Sequence, residues 1–321
     1  MRCSALSALV VFLLMGSVGA ADTPDMAPEA KAELAAAIDA LKAHHINRAS
    51  VDWPSVEAAA YAKAAGAKTA EDAYPAIRDV IAALKQKHTF LQPASVAKAI
   101  AQGSPSDPNV RWWAAPPEGF ILAGGIGYLR LPQHQGTPAL DAAYVQGARD
   151  ILRRFARAKV CRILVDLRGN GGGNMSPMVI ALSSLLGPQP YGFWDDGGAK
   201  TAWSYPPEFY GRAPQPTPDR SDSPLAVLIG ADTASSGEFT AMAIEGRPRA
   251  RFFGAPTGGY LTGNHPFALP DGAMLLVSEV WGQDRLGRSY RDAIRPDQTT
   301  ADGQPAIDAA IAWLKTQSCR R

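Results

Sequence analysis

The apolar run of residues 225–230, with the turn that follows it, constrains the fold more than any other part of the chain. The run, Leu-Ala-Val-Leu-Ile-Gly, has the length and composition of a buried strand. Residues 232–238, Asp-Thr-Ala-Ser-Ser-Gly-Glu, predict a sharp turn into a helix over 236–245. A second predicted strand at 162–167, Arg-Ile-Leu-Val-Asp-Leu, leads through a glycine-rich loop into a predicted helix over 175–186. Strands that alternate with helices in this way predict an α/β core.

A helical N-terminal region precedes this core. Leu34, Ile38 and Leu41 at helical spacing, with a capping-box pattern at residues 69–72, predict helices between residues 28 and 87. Residues 102–109 have the composition of a linker, and residues 206–224 that of a long surface loop. We therefore predict a helical cap over residues 22–105 and an α/β core over residues 118–317. Within the core we predict further strands at 126–131, 250–254 and 273–280, and further helices at 141–158 and 306–314.

The charge balance excludes some classes of partner. The 321 residues carry a formal net charge of +2 and contain no long basic run, so nothing favours nucleic acid or an anionic membrane surface. The cysteines and histidines do not have the spacing of a metal site. We therefore predict neither a metal nor a cofactor.

The first 21 residues resemble a secretory signal peptide. Arg2 precedes a mostly apolar stretch over residues 6–18, which is too short for a comfortable membrane span, and cleavage is predicted near Ala20 or Ala21. The alternative is a retained anchor. Cleavage would make the protein periplasmic or secreted, without stable membrane insertion. Cys161 and Cys319 would then remain, either as a disulfide or as two buried thiols.

Three features could carry chemistry. Ser235 begins the helix after residues 225–230, where backbone N–H groups and the helix dipole favour a nucleophile, although serine is also a common helix cap. The loop 169–174, Gly-Asn-Gly-Gly-Gly-Asn, lacks the spacing of a phosphate loop and is either an oxyanion donor loop or a tight connection. His88, at the end of the helical region, is the candidate base, although a lone histidine is more often structural.

Taken together, these motifs resemble the tail-specific (C-terminal-processing) serine peptidase family, in the broad sense that includes the tricorn-protease core. The matching segments follow the family order: His-Thr-Phe-Leu at 88–91, Ile-Gly-Tyr-Leu-Arg-Leu-Pro at 126–132, Val-Asp-Leu-Arg-Gly-Asn-Gly-Gly-Gly-Asn at 165–174, Thr-Ala-Ser-Ser-Gly-Glu at 233–238, Gly-Ala-Pro-Thr-Gly-Gly at 254–259, Leu-Pro-Asp-Gly at 269–272 and Ile-Arg-Pro-Asp at 294–297. The resemblance implies a ClpP/crotonase-like spiral core behind a helical cap, and a peptide or protein substrate. It implies that Ser235 is the nucleophile, and that the N–H groups of Ser236 and of Gly172 or Gly173 form the oxyanion hole.

The chain departs from the processing peptidases at the base. In that branch a lysine follows the Gly-x-Pro-Thr-x-Gly turn, whereas this chain has Tyr260 there and no lysine close by in sequence. A tyrosine near its ordinary pKa does not readily deprotonate a serine at neutral pH. The resemblance then implies the tricorn-like branch, with His88 as base. Asp292 is the candidate acid that orients it, with Glu238 and Asp297 as alternatives.

The leading hypothesis is therefore a secreted or periplasmic serine peptidase with the Ser235 and His88 pair. Residues 91–120 are too few for a PDZ module, which weakens any expectation of C-terminal tail recognition. One alternative is a non-catalytic protein on the same core that binds a peptide or small ligand. Another is an α/β-hydrolase, whose histidine follows the serine in the chain and would here be His265.

Overall fold

The computed structural model describes residues 25–102, 115–205 and 218–319. In chain order, its helices are α1 (Pro28–His44), α2 (Trp53–Lys63), α3 (Tyr74–Ala83), α4 (Ala94–Ala101), α5 (Pro138–Arg157), α6 (Met175–Ala181), α7 (Ser183–Leu186), α8 (Ser236–Ile244) and α9 (Gln304–Thr316). Its strands are β1 (Phe90–Gln92), β2 (Glu118–Leu122), β3 (Ile126–Arg130), β4 (Arg162–Asp166), β5 (Gly192–Asp195), β6 (Lys200–Ala202), β7 (Leu225–Ile229), β8 (Ala250–Gly254), β9 (Thr262–Ala268), β10 (Met274–Asp284) and β11 (Gln298–Thr299).

The central sheet has the order β11-β8-β7-β4-β3-β2 and is parallel except for the antiparallel pair β2–β3. Ile163 and Val165 of β4 belong to the core that α5, α6 and α8 cover, whereas Leu164 belongs to the core that α9 covers. Burial of both faces explains why β7 is an uninterrupted apolar run and why the middle of β4, residues 163–165, is apolar as well. The carboxyl ends of parallel strands meet at one edge of a sheet, so the loops after β4 and β7 come together there.

A second, antiparallel sheet is built around the long strand β10. One edge of β10 pairs with β9, and its other edge pairs first with β1 and then with β5, which in turn pairs with β6. Helices α1 and α3 bury Leu34, Leu41 and Ile77 against Leu275 and Val277 of β10. The N-terminal helical region therefore shares a sheet and a hydrophobic core with the rest of the chain.

The expected fold class, an α/β core preceded by a helical region, is confirmed. Residues 93–117, between β1 and β2, are too few for a PDZ module. At residues 69–72 Thr69 Oγ1 accepts the Asp72 N–H, and Asp72 Oδ2 accepts the Thr69 N–H, which is the predicted capping box. The signal segment, most of the predicted linker and residues 206–217 lie outside the described residues.

Several elements differ from the sequence prediction. The helix predicted over 175–186 is interrupted at Leu182 (φ −93°, ψ 0°). Strand β10 continues to Asp284 because residues 281–284 pair with β5. Strand β9 was not predicted, since it contains Gly263 and Pro266, which depress strand propensity and are tolerated at a sheet edge.

Cys161 and Cys319 form a disulfide with Cα atoms 5.8 Å apart. It joins the start of β4 to the segment after α9, and it decides between the two arrangements that the sequence left open. Across the described ranges, none of the helices combines the length and the apolar character that a membrane crossing needs.

Candidate active site

Ser235 lies at the sharp turn between β7 and α8. It is the N-cap residue of α8 and has φ 52° and ψ −123°, a backbone conformation that side-chain-bearing residues rarely adopt. Such a conformation costs about 1–3 kcal/mol and persists only where the surroundings enforce it. The first turn of the helix thus presents the serine hydroxyl at the carboxyl edge of the central sheet.

Glu238 enforces this turn from below. Its carboxylate accepts the backbone N–H groups of Ser235 (2.9 Å), Gly259 (2.7 Å) and Tyr260 (2.6 Å), and also the hydroxyl of Thr257. Complete burial raises the pKa of Glu238. The hydrogen bonds that its carboxylate accepts favour the charged form and so partly oppose this increase. Glu238 therefore fixes the serine turn to the Gly259–Tyr260 turn, and it makes no hydrogen bond to His88.

His88 meets Ser235 across the cleft between the N-terminal region and the core. It lies on the turn between α3 and β1, and its Nε2 is 2.8 Å from Ser235 Oγ. Its ring is nearly buried, and this burial, together with the smaller effect of the positive charge of Lys87, lowers the pKa of His88 to about 4. The ring is therefore neutral at pH 7 and able to accept a proton.

The other ring nitrogen of His88 faces a hydroxyl group. Nδ1 lies 3.0 Å from Oγ1 of Thr262, the first residue of β9. The prediction for Asp292 needs correction, because this side chain is exposed and pairs with Arg295 at 2.6 Å. The alternative Asp297 instead accepts the backbone N–H of Phe252 at 2.7 Å.

The glycine loop approaches Ser235 closely. A Cβ atom on Gly172, which has φ 110°, would lie 2.8 Å from Ser235 Cβ and 3.0 Å from the Ser236 nitrogen. The Gly172 N–H itself donates to Asn170 Oδ1 at 3.1 Å and is thus engaged within the loop. Gly173 and Ser236 are the remaining predicted donors, and Ser236, in the first turn of α8, has no intrahelical acceptor for its N–H.

A buried polar cluster supports the glycine loop from behind. His134 Nε2 is 2.8 Å from Asp141 Oδ1, and Asn174 Nδ2 donates to Asp141 Oδ2 at 2.9 Å. The backbone of His134 also receives the Asn174 N–H at 2.6 Å and donates to the Gly172 carbonyl at 3.1 Å. His134 therefore helps to hold the glycine loop in place.

Tyr260, at the position of the family lysine, packs edge-on against the His88 ring with centroids 5.4 Å apart. A lysine does come close in space: Lys87 Nζ lies 4.6 Å from the centre of the Tyr260 ring and donates to the Gly258 carbonyl at 2.5 Å. Lys87 is exposed, and its effect on the site is electrostatic, through the pKa of His88.

Ser235 and His88 open into a cleft of about 940 Å³. One wall is apolar, formed by Met175, Trp194 and Phe239, where the rings of Trp194 and Phe239 meet edge to face at 5.0 Å. Much of the remaining lining consists of glutamine and asparagine side chains, at positions 92, 133, 135, 174 and 264.

His265 lies on β9, is exposed, and does not line this cleft. Within the described ranges no three His, Cys, Asp or Glu side chains are grouped so that they could hold a metal ion.

The sequence did not predict a role for Thr262 and Asn264, which contact His88 in the structure. They are two residues apart on β9 and so point to the same face of the strand. The polar residues alternate shortly after Tyr260, and this pattern could have indicated that both side chains lie on one face of a strand. Gly263 and Pro266 argued against a strand there, so the pattern was not recognised.

Comparisons with known proteins identify the family to which the chain belongs. The model of peptidase family S41 matches residues 125–300, more than half of the chain. The nisin-resistance protein of Lactococcus lactis subsp. lactis is 28% identical over 278 residues, which cover 84% of this chain and 81% of that protein. A lipoprotein from Streptococcus agalactiae has a TM-score of 0.77 at 23% identity and covers 96% of this chain and 99% of that chain. A photosystem II D1 C-terminal processing protease has a TM-score of 0.62 at 15% identity, covering 92% and 99%. The resemblance that the motifs indicated is confirmed, whereas the histidine-base branch stays a prediction.

Proposed function

Because the chain belongs to peptidase family S41, we propose that it is a serine peptidase in which Ser235 is the nucleophile and His88 the general base. The observation that carries this proposal is the 2.8 Å separation of His88 Nε2 and Ser235 Oγ. This distance is within direct reach for proton transfer. The strained backbone of Ser235 and the neutral state of His88 at pH 7 also support it.

The reaction follows from this pairing. His88 Nε2 accepts the Ser235 hydroxyl proton as Oγ attacks the peptide carbonyl. The N–H groups of Gly173 and Ser236 hold the oxyanion, with the α8 dipole adding to its stabilisation. His88 then protonates the leaving amine, and water releases the acyl-enzyme by the same steps in reverse.

The cleft favours a peptide with an uncharged segment at the reacting bond. Its volume of about 940 Å³ accommodates several residues, and the wall of Met175, Trp194 and Phe239 suits an apolar side chain. Among its described lining residues, the charged side chains are Lys87 and Asp232, of opposite sign, since His88 is neutral at pH 7. Because one relative is named for nisin resistance, nisin belongs in the first panel of test peptides.

We further propose that the protein acts outside the cytoplasm, after cleavage near Ala20 or Ala21. The signal-like first 21 residues and the disulfide between Cys161 and Cys319 support export, since disulfides persist in oxidising compartments. A relative described as a lipoprotein is consistent with it. Fractionation of a bacterial host and the mass of the product test this; an intact chain in the cytoplasm with both thiols reduced would contradict it.

Labelling by a serine-reactive fluorophosphonate tests the catalytic pair. We expect Ser235→Ala and His88→Ala to abolish labelling while circular dichroism shows that the fold survives. His265→Ala is the matched control, because His265 is exposed and outside the cleft, and it should label like the wild type.

Full labelling of the Ser235→Ala protein would overturn the proposal. A folded wild-type protein that resists the probe and yet retains a peptide would favour the non-catalytic alternative. Loss of labelling in His265→Ala alone would instead favour the α/β-hydrolase reading.

A further inference from the structure

The His88 nitrogen that faces away from Ser235 contacts an uncharged group. A serine triad usually has a carboxylate there, which fixes the histidine tautomer. Here Nδ1 is 3.0 Å from Thr262 Oγ1, and no carboxylate among the described residues hydrogen-bonds to the ring. Thr262 is completely buried. The partners of its hydroxyl group therefore decide which nitrogen of His88 carries the proton.

Gln86 supplies the first constraint. Its Oε1 accepts the backbone N–H groups of His88, at 2.5 Å, and of Thr89, at 3.0 Å. Because the amide oxygen is used in this way, the amide nitrogen faces Thr262 Oγ1 at 3.1 Å and donates to it. One lone pair of the Thr262 hydroxyl is thus occupied.

Asn264 and Ser278 supply the second constraint. Asn264 Nδ2 donates to the His88 carbonyl at 2.6 Å, which turns Asn264 Oδ1 toward Ser278 Oγ at 2.9 Å. An amide oxygen only accepts, so the Ser278 hydroxyl donates its proton to it or to Gln86 Oε1 at 3.2 Å. Ser278 Oγ therefore accepts from Thr262 Oγ1, which is 2.9 Å away.

These assignments leave one role for the Thr262 hydroxyl at His88. Its single proton goes to Ser278 and one lone pair to Gln86, so its other lone pair accepts a proton from His88 Nδ1. If Thr262 instead donated its proton to His88 Nδ1, Ser278 would have to donate to Thr262. The Ser278 and Asn264 oxygens would then face each other without a proton between them at a buried site, which is unfavourable. His88 thus carries its proton on Nδ1 and presents a bare Nε2 to Ser235.

We propose that Thr262 is the positioning residue of this site and holds His88 in the Nδ1–H tautomer through an uncharged chain of hydrogen bonds to Ser278 and Asn264. The inference rests on the proposed function for its catalytic consequence only. The direction of the hydrogen bonds in this chain follows from the amide groups of Gln86 and Asn264 alone. Thr262 acts through His88, because its side chain is completely buried behind the ring.

The test combines ring-nitrogen NMR with labelling kinetics. In the ¹⁵N-histidine-labelled wild type we expect the shift pattern of a neutral ring protonated at Nδ1. Thr262→Val, which keeps the shape and removes the hydroxyl, should mix the tautomers. It should also slow fluorophosphonate labelling by about 10- to 100-fold, the effect of leaving a buried donor unpaired. Thr262→Ser should restore both the spectrum and most of the rate.

Thr300→Val is a matched control, because the Thr300 hydroxyl is buried with no hydrogen-bond partner among the described residues; it should leave labelling and the His88 signals unchanged. Ser278→Ala, which breaks the chain one group further away, provides a second variant should Thr262→Val fold poorly. A wild-type ring protonated at Nε2, or a folded Thr262→Val protein that labels at the wild-type rate, would overturn the inference. A wild-type protein that does not react with the fluorophosphonate would refute the proposed function, but the NMR spectrum would still show which tautomer His88 adopts.

Discussion

Gly172→Ala probes the glycine loop at its closest approach to the serine turn. The added Cβ would lie 2.8 Å from Ser235 Cβ, 3.0 Å from the Ser236 nitrogen and 3.1 Å from the Ala234 carbonyl oxygen. Two of these neighbours are backbone atoms, which move only if the turn itself moves. The φ of 110° adds backbone strain of about 1–3 kcal/mol for a residue with a side chain.

Gly172→Ala should also slow fluorophosphonate labelling. The Ser236 N–H is a proposed oxyanion donor, and loss of one such donor typically reduces the rate by about 10²- to 10³-fold. We expect the second-order rate of fluorophosphonate labelling of Gly172→Ala to fall by that factor. Urea unfolding should show a loss of stability of about 2–4 kcal/mol, from strain and overlap together.

Gly272→Ala separates the two effects. Gly272 has φ 90°, and a Cβ there would meet no heavy atom within 4 Å. It lies in the turn between β9 and β10, outside the residues that line the cleft. We expect it to lose stability from strain alone and to label at the wild-type rate. If Gly172→Ala labelled within about threefold of the wild type, the assignment of an oxyanion hole here would be wrong.

Three further predictions follow from charge and covalent structure. The labelling rate should fall on acidification only near pH 4, where His88 gains a proton, and Lys87→Met should move this limb to higher pH because a repelling charge is lost; an unmoved limb would refute the electrostatic role. Burial raises the pKa of Glu33 to about 7. Stability should therefore fall by on the order of 1–2 kcal/mol as pH rises from about 4.5 through 7. Urea unfolding should show no such slope in Glu33→Gln, and an equal slope would contradict this. Cys161→Ser should lose about 2–4 kcal/mol of stability and label normally; equal stability in urea would show that the bridge does not form.

Local patterns predicted the parts of the fold that local physics determines. Strand β7 and the start of α8 follow from the apolar run and the capping residues, and these place Ser235 on its turn. His88 could be proposed only from the order of motifs, because no local pattern places it beside a serine 147 residues away. What brings it there is the pairing of β1 with β10.

The partner of His88 could not be predicted for a related reason. Thr262 and Ser278 meet because β9 and β10 pair with the register Ser278 opposite Asn264. Pairing register is set by the whole sheet, and a shift of one residue would turn Thr262 to the other face. Asp292 lies near the expected position of the acid in the sequence, but its charge is paired at the surface with Arg295.

The position of the buried negative charge is the main difference between this site and a serine triad with an aspartate behind its histidine. Here the carboxylate of Glu238 lies beneath the serine, where it receives the Ser235 N–H and holds a turn that would otherwise relax. The histidine is left among hydroxyl and amide groups, and burial without a counter-charge lowers the pKa of His88 to about 4. The proposed base is neutral at pH 7, and the imidazolium that the proposed reaction would form has no hydrogen-bonded carboxylate beside it among the described residues. Charge therefore positions the proposed nucleophile in this site, while uncharged hydrogen bonds orient the proposed base.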